Sequence, residues 1–570
     1  MCGIFALLNS INTGILNNKL IEEQFYKGKQ RGPEYSKLEY NYLQMCLGFH
    51  RLAINGLNIQ SNQPIVYKDI VLICNGEIYN YKHLYIDMNI TPITGSDCEV
   101  IIHLYLKYGI EQTLTMLDGE YAFVLFDNRI NNEIINKIYI ARDPFGVRPL
   151  YQLYNKTQNL NHNVFNLYGF ASELKCLEYF YNQNTDIYRV EQFEPGTYSV
   201  FQYGNKVHSM WKPLIKNKFY FIPTVSYRKI NEDIYNDIFL NISKYLNEAV
   251  IKRCNTTERP IACLLSGGLD SSLIAALVSN YFKKEKQIET FSIGLKDSED
   301  IKYAKIVADY IGSKHTEIIV TEIDMFESIA EVIKAIESYD TTTIRASIGN
   351  YLIGKYISKN SEAKVILNGD GSDELFGGYL YMNKCPDNIE FDKETRRLLK
   401  DIYLFDVLRS DKSISSNGLE PRTPFLDITF VNYILSIPPY FRNHTNLNQC
   451  EKYLLRKSFT EMYFVNYNGT QILPDEILWR KKEAFSDGVS SKGRSLFTIL
   501  QELIASDKYY NKNVKEYNPC IELEKKYYKE IFDKEFPNCS HILPYFWMPK
   551  YIKASDPSAR TLEVYHKTIE

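Results

Sequence analysis

The sequence predicts two domains, a β-rich α+β domain followed by an α/β domain with a parallel sheet and a helical C-terminal part. The chain has 570 residues, more than one hydrophobic core usually organises. In the N-terminal third, short apolar runs alternate with turn residues, which is typical of β-strands. Beyond residue 232, strands and helices alternate, which favours parallel strands joined by crossover helices.

The N-terminal domain is predicted to span residues 2–203. Its predicted strands are short apolar runs bounded by turn residues, at 46–54, 70–75, 121–127, 137–141 and 198–203. A predicted helix at 98–108 interrupts them. Little periodicity remains between 204 and 231, and we expect a linker there.

The C-terminal domain is predicted to span residues 232–570. It begins with a helix at about 232–253, in which apolar residues recur at every fourth position. Strands are predicted at 260–265, 290–294 and 365–367, with helices after the first two. The remainder is predicted to be largely helical, including a solvated helical region at 507–536.

Composition excludes several classes of function. The formal net charge is -3, which leaves no basic surplus for binding nucleic acid. We find no apolar run long enough to span a membrane and no secretory signal at the N-terminus. The 11 cysteines are spread singly, which argues against a disulfide framework or a zinc site. We therefore expect a cytoplasmic protein.

A cysteine directly follows the initiator methionine. Removal of Met1 would leave Cys2 with a free α-amino group beside its thiol, so one residue could supply both nucleophile and base. The dipeptide alone is more typical of a buried cysteine in a first strand. Other residues decide between these interpretations, because acyl transfer needs further groups.

Three later stretches carry the groups that such a nucleophile requires. Asn75 and Gly76 can form an oxyanion hole from a side-chain amide and a backbone N–H. Arg51 can hold the carboxylate of an amino-acid substrate, and Asp97 can hold its amine. Taken singly, Asn75-Gly76 is typical of a hairpin turn, Arg51 of a surface charge and Asp97 of a helix N-cap.

Together these stretches resemble class II glutamine amidotransferase domains, which have the N-terminal-nucleophile hydrolase fold, an αββα sandwich. The matching stretches are 2–4, 31–33, 48–54, 75–80, 96–99, 117–119 and 141–151. The resemblance implies that Cys2 attacks the amide of glutamine while Asn75 and Gly76 hold the oxyanion. It also implies a glutamine-binding set of Arg51, Leu52, Ile54, Asn75, Gly76, Glu77 and Asp97. Glu34 stands where the family usually has Asp.

A glycine-rich stretch at 264–272, called here the first loop, joins an apolar strand to a helix. Its glycines let backbone N–H groups approach an anion, and the helix N-terminus faces that anion. Ser266 and Ser271 add hydroxyl donors, and Asp270 can help hold the Mg²⁺ that accompanies pyrophosphate. An ordinary strand-to-helix turn is the alternative, which seven specific residues in this context disfavour.

A second candidate phosphate loop is rejected. Residues 349–356 nearly fit the Walker pattern, but the stretch ends in Tyr rather than Ser or Thr. It also lies inside a helical pattern without a preceding strand. We therefore interpret it as structural.

The first loop resembles that of ATP pyrophosphatases, which cleave ATP between its α- and β-phosphates and adenylate a carboxylate. The acidic, glycine-rich stretch 368–379, called here the second loop, would cover the nucleotide, and Asp373 would join Asp270 at Mg²⁺. The resemblance implies ATP binding by Leu265, Ser266, Gly267, Gly268, Asp270, Ser271, Ile293, Asn368 and Gly369.

Further stretches, at 341–347, 418–427, 473–489 and 556–560, resemble the asparagine synthetase family. The family implies an ATP-dependent transfer of ammonia from glutamine to aspartate, and a homodimer is a further expectation. Lys482 falls where the family has a lysine near the α- and β-phosphates, and would stabilise charge in the transition state. Arg345 is a candidate ligand of the aspartate carboxylate.

Three residues depart from the asparagine synthetase pattern. Asn368 replaces Ser, Asp370 replaces Glu and Pro421 replaces Ala. The replaced Glu is linked in the family to forming aspartyl-AMP and handling ammonia, so Asp370 is the expected catalytic carboxylate. A shift of about 1 Å can cost roughly a hundredfold in rate. Two alternatives stay open: a related enzyme that amidates another carboxylate, and a non-catalytic protein with a decayed synthetase site.

Overall fold

The computed structural model describes residues 1–10, 17–129, 136–156, 166–204, 210–225, 232–283, 286–483, 485–491, 493–506, 518–563 and 565. In the described N-terminal domain the strands are β1 Gly3–Leu8, β2 Tyr35–Tyr42, β3 Met45–Arg51, β4 Ile65–Tyr67, β5 Ile70–Ile78, β6 Gly119–Asp127, β7 Lys137–Arg142, β8 Tyr151–Asn155, β9 Tyr168–Ala171, β10 Tyr188–Gln192, β11 Thr197–Tyr203 and β12 Trp211–Lys218. Its helices are α1 Asn18–Tyr26, α2 Tyr81–Met88, α3 Val100–Met116 and α4 Glu178–Asn182.

These strands form two antiparallel sheets, in the orders β10-β8-β9-β1-β3-β2 and β12-β11-β7-β6-β5-β4. Strand β1 is apolar throughout because both of its faces are buried. Ile4 and Ala6 pack between the two sheets, whereas Phe5 and Leu7 pack toward α1 and α4. Helices α2 and α3 cover the outer face of the second sheet. The layers are therefore αββα, which confirms the predicted sandwich.

The C-terminal domain is built on a parallel sheet. Within the described residues its strands are β13 Ile261–Leu264, β14 Glu289–Leu295, β15 Lys314–Val320, β16 Val365–Leu367 and β17 Glu420–Arg422, in the order β15-β14-β13-β16-β17. Every neighbouring pair in this sheet runs parallel. The predicted α/β domain is confirmed, although β15 and β17 were not among the predicted strands.

The helices of this domain surround the sheet and form its C-terminal part. They are α5 Glu232–Asn255, α6 Leu269–Phe282, α7 Glu299–Ile311, α8 Glu322–Glu327, α9 Ile329–Ile336, α10 Thr341–Asn360, α11 Ser372–Phe376, α12 Asn388–Asp401, α13 Asp406–Ser415, α14 Ile428–Ser436, α15 Pro439–Arg442, α16 Tyr453–Ser458, α17 Asp475–Leu478, α18 Phe485–Gly488, α19 Leu496–Ser506 and α20 Ile521–Glu535. Helices α5, α6 and α7 pack on one face of the sheet, and α10 and α13 pack on the other.

One segment differs from the sequence prediction, and two agree with it as far as the structure describes them. Strand β12 lies inside the stretch predicted as a linker, and it pairs with β11. The lysine-rich sequence of β12 lacks the apolar run that would predict a strand. As an edge strand, β12 buries only Trp211. Of the predicted helical region 507–536, α20 covers the later part, and 507–517 lie outside the described residues. The rejected Walker-like stretch lies within α10, as predicted.

The two domains meet over apolar and charged surfaces. One apolar core combines α1 and α4 with α9, α19 and α20. Buried ion pairs cross the interface between Arg31 and Asp411 (2.7 Å), Arg148 and Asp411 (3.3 Å), Arg253 and Glu120 (2.8 Å), and Arg422 and Glu77 (3.3 Å). Among helices in the described part of the chain, none has the length and apolar character that a bilayer span requires.

Candidate active sites

Cys2 lies at the start of β1, where it is held by backbone contacts. Its Sγ donates to the carbonyl of Leu52 (3.5 Å), and its own carbonyl accepts from Nε of Arg31 (3.0 Å). The α-amino group of Met1 donates to the carbonyl of Leu419 (3.1 Å). Burial raises the pKa of the Cys2 thiol to about 12 and lowers the pKa of the Met1 amine to about 6. With Met1 in place, the thiol therefore stays protonated near neutral pH.

The predicted oxyanion pair lies on β5, next to β6. Asn75 is fully buried, and its Nδ2 donates to Oγ of Ser172 (3.4 Å). The same oxygen accepts from the backbone N–H of Ile4 (3.0 Å), so Ser172 connects the amide to the strand that carries Cys2. A Cβ on Gly76 would lie 2.5 Å from the carbonyl oxygen of Glu120, so only glycine fits against β6. Sequence reasoning missed Ser172, which no motif marks.

The predicted glutamine carboxylate ligand, Arg51, is surrounded by the loop that follows β3. Its guanidinium donates to backbone carbonyls and to an amide oxygen; the acceptors are Asn55, Gly56, Asn58 and Asn62. Leu52 and Ile54 lie nearby, but their side chains pack into the apolar core shared with the C-terminal domain. Only the backbone of Leu52 therefore reaches the Cys2 thiol.

Two buried carboxylates lie near the end of β5: Glu77 within the strand and Asp97 in a later turn. Asp97 accepts from the backbone N–H of Ile78 (2.7 Å), and burial raises its pKa to about 6. Glu77 accepts from Nδ2 of Asn55 (2.6 Å) and pairs with Arg422 (3.3 Å). Burial also raises the pKa of Glu77, and the nearby Asp97 adds to that increase. Glu77 is thus tied to the C-terminal domain, whereas Asp97 is held within its own domain, by the N–H of Ile78 and the thiol of Cys98 (3.7 Å).

The first loop follows β13 and leads into α6. Gly267 has a φ of +71°, and a Cβ there would lie 2.4 Å from the backbone nitrogen of Ala304 in α7. The hydroxyls of Ser266 and Ser271 lie 2.9 Å apart, and Ser271 also accepts from the Ser266 N–H (3.1 Å). The loop is therefore folded against α7 with its serine hydroxyls side by side.

The second loop follows β16, the neighbour of β13, so both loops lie at the same edge of the sheet. A Cβ on Gly369 would lie 2.7 Å from the backbone nitrogen of Ser271, so the loops touch. Parallel α/β sheets bind ligands at this edge, beyond the carboxyl ends of the strands. The arrangement brings the two predicted nucleotide loops together.

Two aspartates and two lysines form a charged cluster between the loops. Nζ of Lys452 contacts both Asp270 (2.6 Å) and Asp373 (2.7 Å). Nζ of Lys482 contacts Asp373 (2.6 Å) and lies 3.8 Å from Asp270. The lysines outweigh the cost of burial and hold the pKa of Asp373 well below its usual range, and the aspartates raise the pKa of Lys482. Lys452 was missed because it lies just before α16, outside any recognisable motif.

The two residues that depart from the family pattern in the second loop both contact α13. Asp370 pairs with Arg409 (3.0 Å), and Nδ2 of Asn368 donates to Oγ of Ser410 (2.6 Å). Arg409 also pairs with Asp406 of its own helix (3.0 Å). These contacts fix the direction of the Asp370 carboxylate.

A single cleft collects most of the predicted nucleotide residues. Those that line it are Leu265, Ser266, Gly268, Asp270, Ser271, Ile293, Asn368, Gly369, Asp370, Asp373 and Lys482. Gly267 instead faces α7. Arg345 is buried, and its guanidinium donates hydrogen bonds to the carboxylates of Glu524 (2.8 Å) and Asp556 (2.7 Å). That arrangement favours a structural role for Arg345 over the expected contact with aspartate.

The described residues contain no group of three or more His, Cys, Asp and Glu side chains placed to hold a metal ion. Asp270 and Asp373 nevertheless share the ammonium of Lys452, so their carboxylates converge on one position for a cation. A Mg²⁺ ion commonly takes one or two carboxylates and completes its shell with phosphates and water. The pair fits that type of site.

Comparisons with known proteins agree with this geometry. The family described as "Glutamine amidotransferase domain" matches residues 1–212, and the family described as "Asparagine synthase" matches residues 241–390 and 383–541. An asparagine synthetase (glutamine-hydrolyzing) of Gallus gallus is 40% identical over 590 residues, covering 100% of both chains. Those of Homo sapiens and Rattus norvegicus are each 39% identical, again covering 100% of both chains. The chain belongs to the glutamine-hydrolysing asparagine synthetase family.

Proposed function

We propose that this chain converts glutamine, aspartate, ATP and water into glutamate, asparagine, AMP and pyrophosphate. One observation carries the proposal: the chain holds both a Cys2 site beside an oxyanion pair and a two-loop nucleotide cleft. Family membership over the full length supports the same reaction. The substrates are therefore small molecules, and neither nucleic acid nor a membrane is part of the proposal.

Glutamine hydrolysis begins once Met1 has been removed. The α-amine of Cys2 takes the thiol proton, and the sulfur attacks the amide carbon of glutamine. The amide of Asn75 and the N–H of Gly76 stabilise the oxyanion. Ammonia leaves with a proton from the α-ammonium group, and water then hydrolyses the thioester to glutamate. Arg51 and Asp97 hold the substrate carboxylate and amine.

Aspartate is activated in the cleft of the C-terminal domain. The first loop and the N-terminus of α6 receive the phosphates of ATP, and Ile293 contacts the adenine. The β-carboxylate of aspartate attacks the α-phosphorus and releases pyrophosphate, while Lys482 neutralises the charge that gathers there. Mg²⁺, held by Asp270 and Asp373, would neutralise the phosphate charge.

Amide formation completes the reaction. Ammonia from the first site attacks the β-aspartyl carbon, and AMP departs. We assign Asp370 the task of accepting the proton that ammonia loses, because Arg409 holds its carboxylate in the cleft. Asp370 is shorter than the usual glutamate by one methylene, and the ion pair with Arg409 fixes where that shorter group lies.

Location and assembly complete the proposal. All 11 cysteines are free, which supports a reducing compartment, and we assign the chain to the cytoplasm. A homodimer is proposed because relatives are often dimers. Light scattering of the purified protein would test it, and a mass of one chain would contradict it.

An end-point assay tests the reaction. Purified protein receives glutamine, aspartate and Mg-ATP, and asparagine, glutamate, AMP and pyrophosphate are measured. We expect asparagine and AMP in equal amounts, and we expect Cys2→Ala to make asparagine only from added ammonia. Cys450→Ala, which removes an exposed thiol, serves as the control and should match the natural sequence.

Two results would overturn the assignment. AMP formation with another carboxylic acid but not with aspartate would indicate an enzyme that amidates a different acid. Glutamate formation without AMP or pyrophosphate would indicate a C-terminal domain that no longer catalyses the reaction.

A further inference from the structure

Helix α13 connects the second loop to the N-terminal domain through four consecutive buried residues. Arg409 and Ser410 point toward the second loop, and Asp411 and Lys412 point toward the N-terminal domain. Each of the four is at most 9% exposed. A single turn of helix therefore contacts the second loop directly and reaches Cys2 through Arg31.

On the nucleotide side, the helix holds the second loop by two contacts. Arg409 pairs with Asp370 (3.0 Å), and Ser410 accepts from Asn368 (2.6 Å). These are the two residues of the loop that depart from the family pattern. The carboxylate of Asp370, which is shorter than the usual Glu, and the amide of Asn368, which is longer than the usual Ser, therefore both contact α13.

On the glutaminase side, Asp411 binds two arginines of the N-terminal domain. Its carboxylate lies 2.7 Å from Arg31 and 3.3 Å from Arg148. Arg31 in turn donates from Nε to the carbonyl of Cys2 (3.0 Å). Only two side chains, Asp411 and Arg31, therefore separate α13 from the backbone of the nucleophile.

Lys412 adds further ion pairs on the side of α13 that faces the N-terminal domain. It pairs with Glu173 of the N-terminal domain (3.3 Å) and with Glu337, which follows α9. Glu173 also pairs with Arg31 (2.9 Å), so a partner of Lys412 and a partner of Asp411 are joined to each other. Buried ion pairs of this kind are costly to break, because the remaining partner is left charged and unpaired.

We propose that Asp411 is a positioning residue for both reactions. Through Arg31 it sets the backbone of Cys2, and through the rigid turn of α13 it sets Arg409 and the carboxylate of Asp370. The inference rests on the proposed function, because it assigns Asp370 to synthesis. It goes beyond that function by linking the geometry of the two sites through one side chain.

The test uses Asp411→Asn in the full-length protein, which keeps the size of the side chain and removes its charge. Two reactions are measured separately: glutamine hydrolysis without ATP, and asparagine synthesis from added ammonia without glutamine. We expect kcat for both to fall roughly tenfold, since misplacement by a fraction of an ångström has effects of that order. KM for glutamine and for ATP should change by less than about twofold.

The second reaction is the critical one. Among described residues, the Asp411 carboxylate bonds only to Arg31, Arg148 and Ser415 of its own helix. Synthesis from ammonia uses none of these groups chemically, so a lower kcat reports a displacement transmitted from the Asp411 contacts and not the loss of a reacting group. An unchanged kcat for either reaction in Asp411→Asn overturns the inference.

Partial unfolding is separated from misplacement by counting sites. A diazoketone analogue of glutamine labels Cys2, and each kcat is expressed per labelled site. The matched control is Lys252→Met, which removes ion pairs from α5 instead of α13: one between the domains, with Asp118 (2.6 Å), and one with Asp427 (2.6 Å). If Lys252→Met slows synthesis from ammonia equally, the effect belongs to the interface in general and the inference is overturned.

If Asp411→Asn does not fold, Asp411→Glu replaces it under the same criteria, because the longer side chain keeps the charge but displaces the contacts. The sequence without substitutions, assayed in parallel, separates the two proposals. Failure of that protein to make asparagine refutes the proposed function. Success of that protein, with unchanged kcat in the variant, refutes the positioning role alone.

Discussion

At the scale of single residues, burial sets the pH at which a carboxylate of the glutamine site, Asp97, becomes charged. Asp97 is 3% exposed, and burial raises its pKa to about 6. A raised carboxyl pKa means that the neutral form persists to higher pH, and a neutral Asp97 cannot pair with the ammonium of glutamine. Glutamine binding should therefore weaken as the pH falls through about 6.

We predict that kcat/KM for glutamine hydrolysis declines as the pH is lowered below about 6, since this ratio reports the free enzyme. Asp97→Asn should have a low kcat/KM and should lack the part of the decline near pH 6, keeping only the part caused by protonation of the Cys2 α-amine. Glu77→Gln is the comparison, because burial also raises the pKa of Glu77. If Glu77→Gln abolishes the decline near pH 6 and Asp97→Asn keeps it, the carboxylate whose charge binds glutamine is Glu77 and not Asp97.

The catalytic residues that the sequence could predict are those within local motifs. The first loop was recognisable because its glycines and serines lie within nine positions, and Cys2 because of its place in the chain. Lys452 and Arg409 were not recognisable. Lys452 lies 182 positions from Asp270, and only folding brings the two together. A single sequence carries no signal of such a contact.

At the scale of elements, the first loop depends on its contact with α7. Gly267 and Gly312 both have positive φ, +71° and +66°, but their surroundings differ. No described atom lies within 4 Å of a Cβ on Gly312, whereas a Cβ on Gly267 would lie 2.4 Å from the backbone of Ala304. A substitution at Gly312 therefore tests the cost of backbone strain without a steric clash.

We predict that Gly312→Ala costs about 1–2 kcal/mol, the strain of a left-handed residue. Gly267→Ala should lower the thermal midpoint further and reduce AMP formation by more than about tenfold, because the loop must move away from α7. Glutamine hydrolysis should not change in either variant. Equal thermal midpoints and equal AMP formation in the two variants would contradict this account.

The strands that were predicted differ from those that were missed in what stabilises them. Strands β5, β6 and β13 are apolar runs, and burial of their side chains is readable from the sequence. Strand β17 is Glu-Pro-Arg, and it is buried through ion pairs instead. Arg422 pairs with Glu420 in the same strand and with Glu77 in the other domain. Tertiary contacts create this strand, so no local pattern predicts it.

At the scale of the whole molecule, the two domains share both apolar core and buried charge. Phe5 and Leu177 of the N-terminal domain pack in one cluster with Val332 and Phe532 of the C-terminal domain. Among the buried carboxylates, Glu173 has its pKa held well below the usual value of 4.5 by Lys175, Lys412 and Arg31, against the effect of burial. This stabilisation is complete above pH 4.5 and is lost as the pH falls below it.

Because of this shared interface, we predict that the domains unfold together. Ile357 is fully buried in a core made only of C-terminal residues, so Ile357→Ala removes no contact in the N-terminal domain. The substitution should cost about 2–5 kcal/mol. It should lower the midpoint temperature for loss of glutamine hydrolysis as much as that for synthesis. Ile389→Ala, at a position 65% exposed, is the control and should change neither midpoint. Glutamine hydrolysis that survives at the original temperature in Ile357→Ala would show instead that the N-terminal domain unfolds independently.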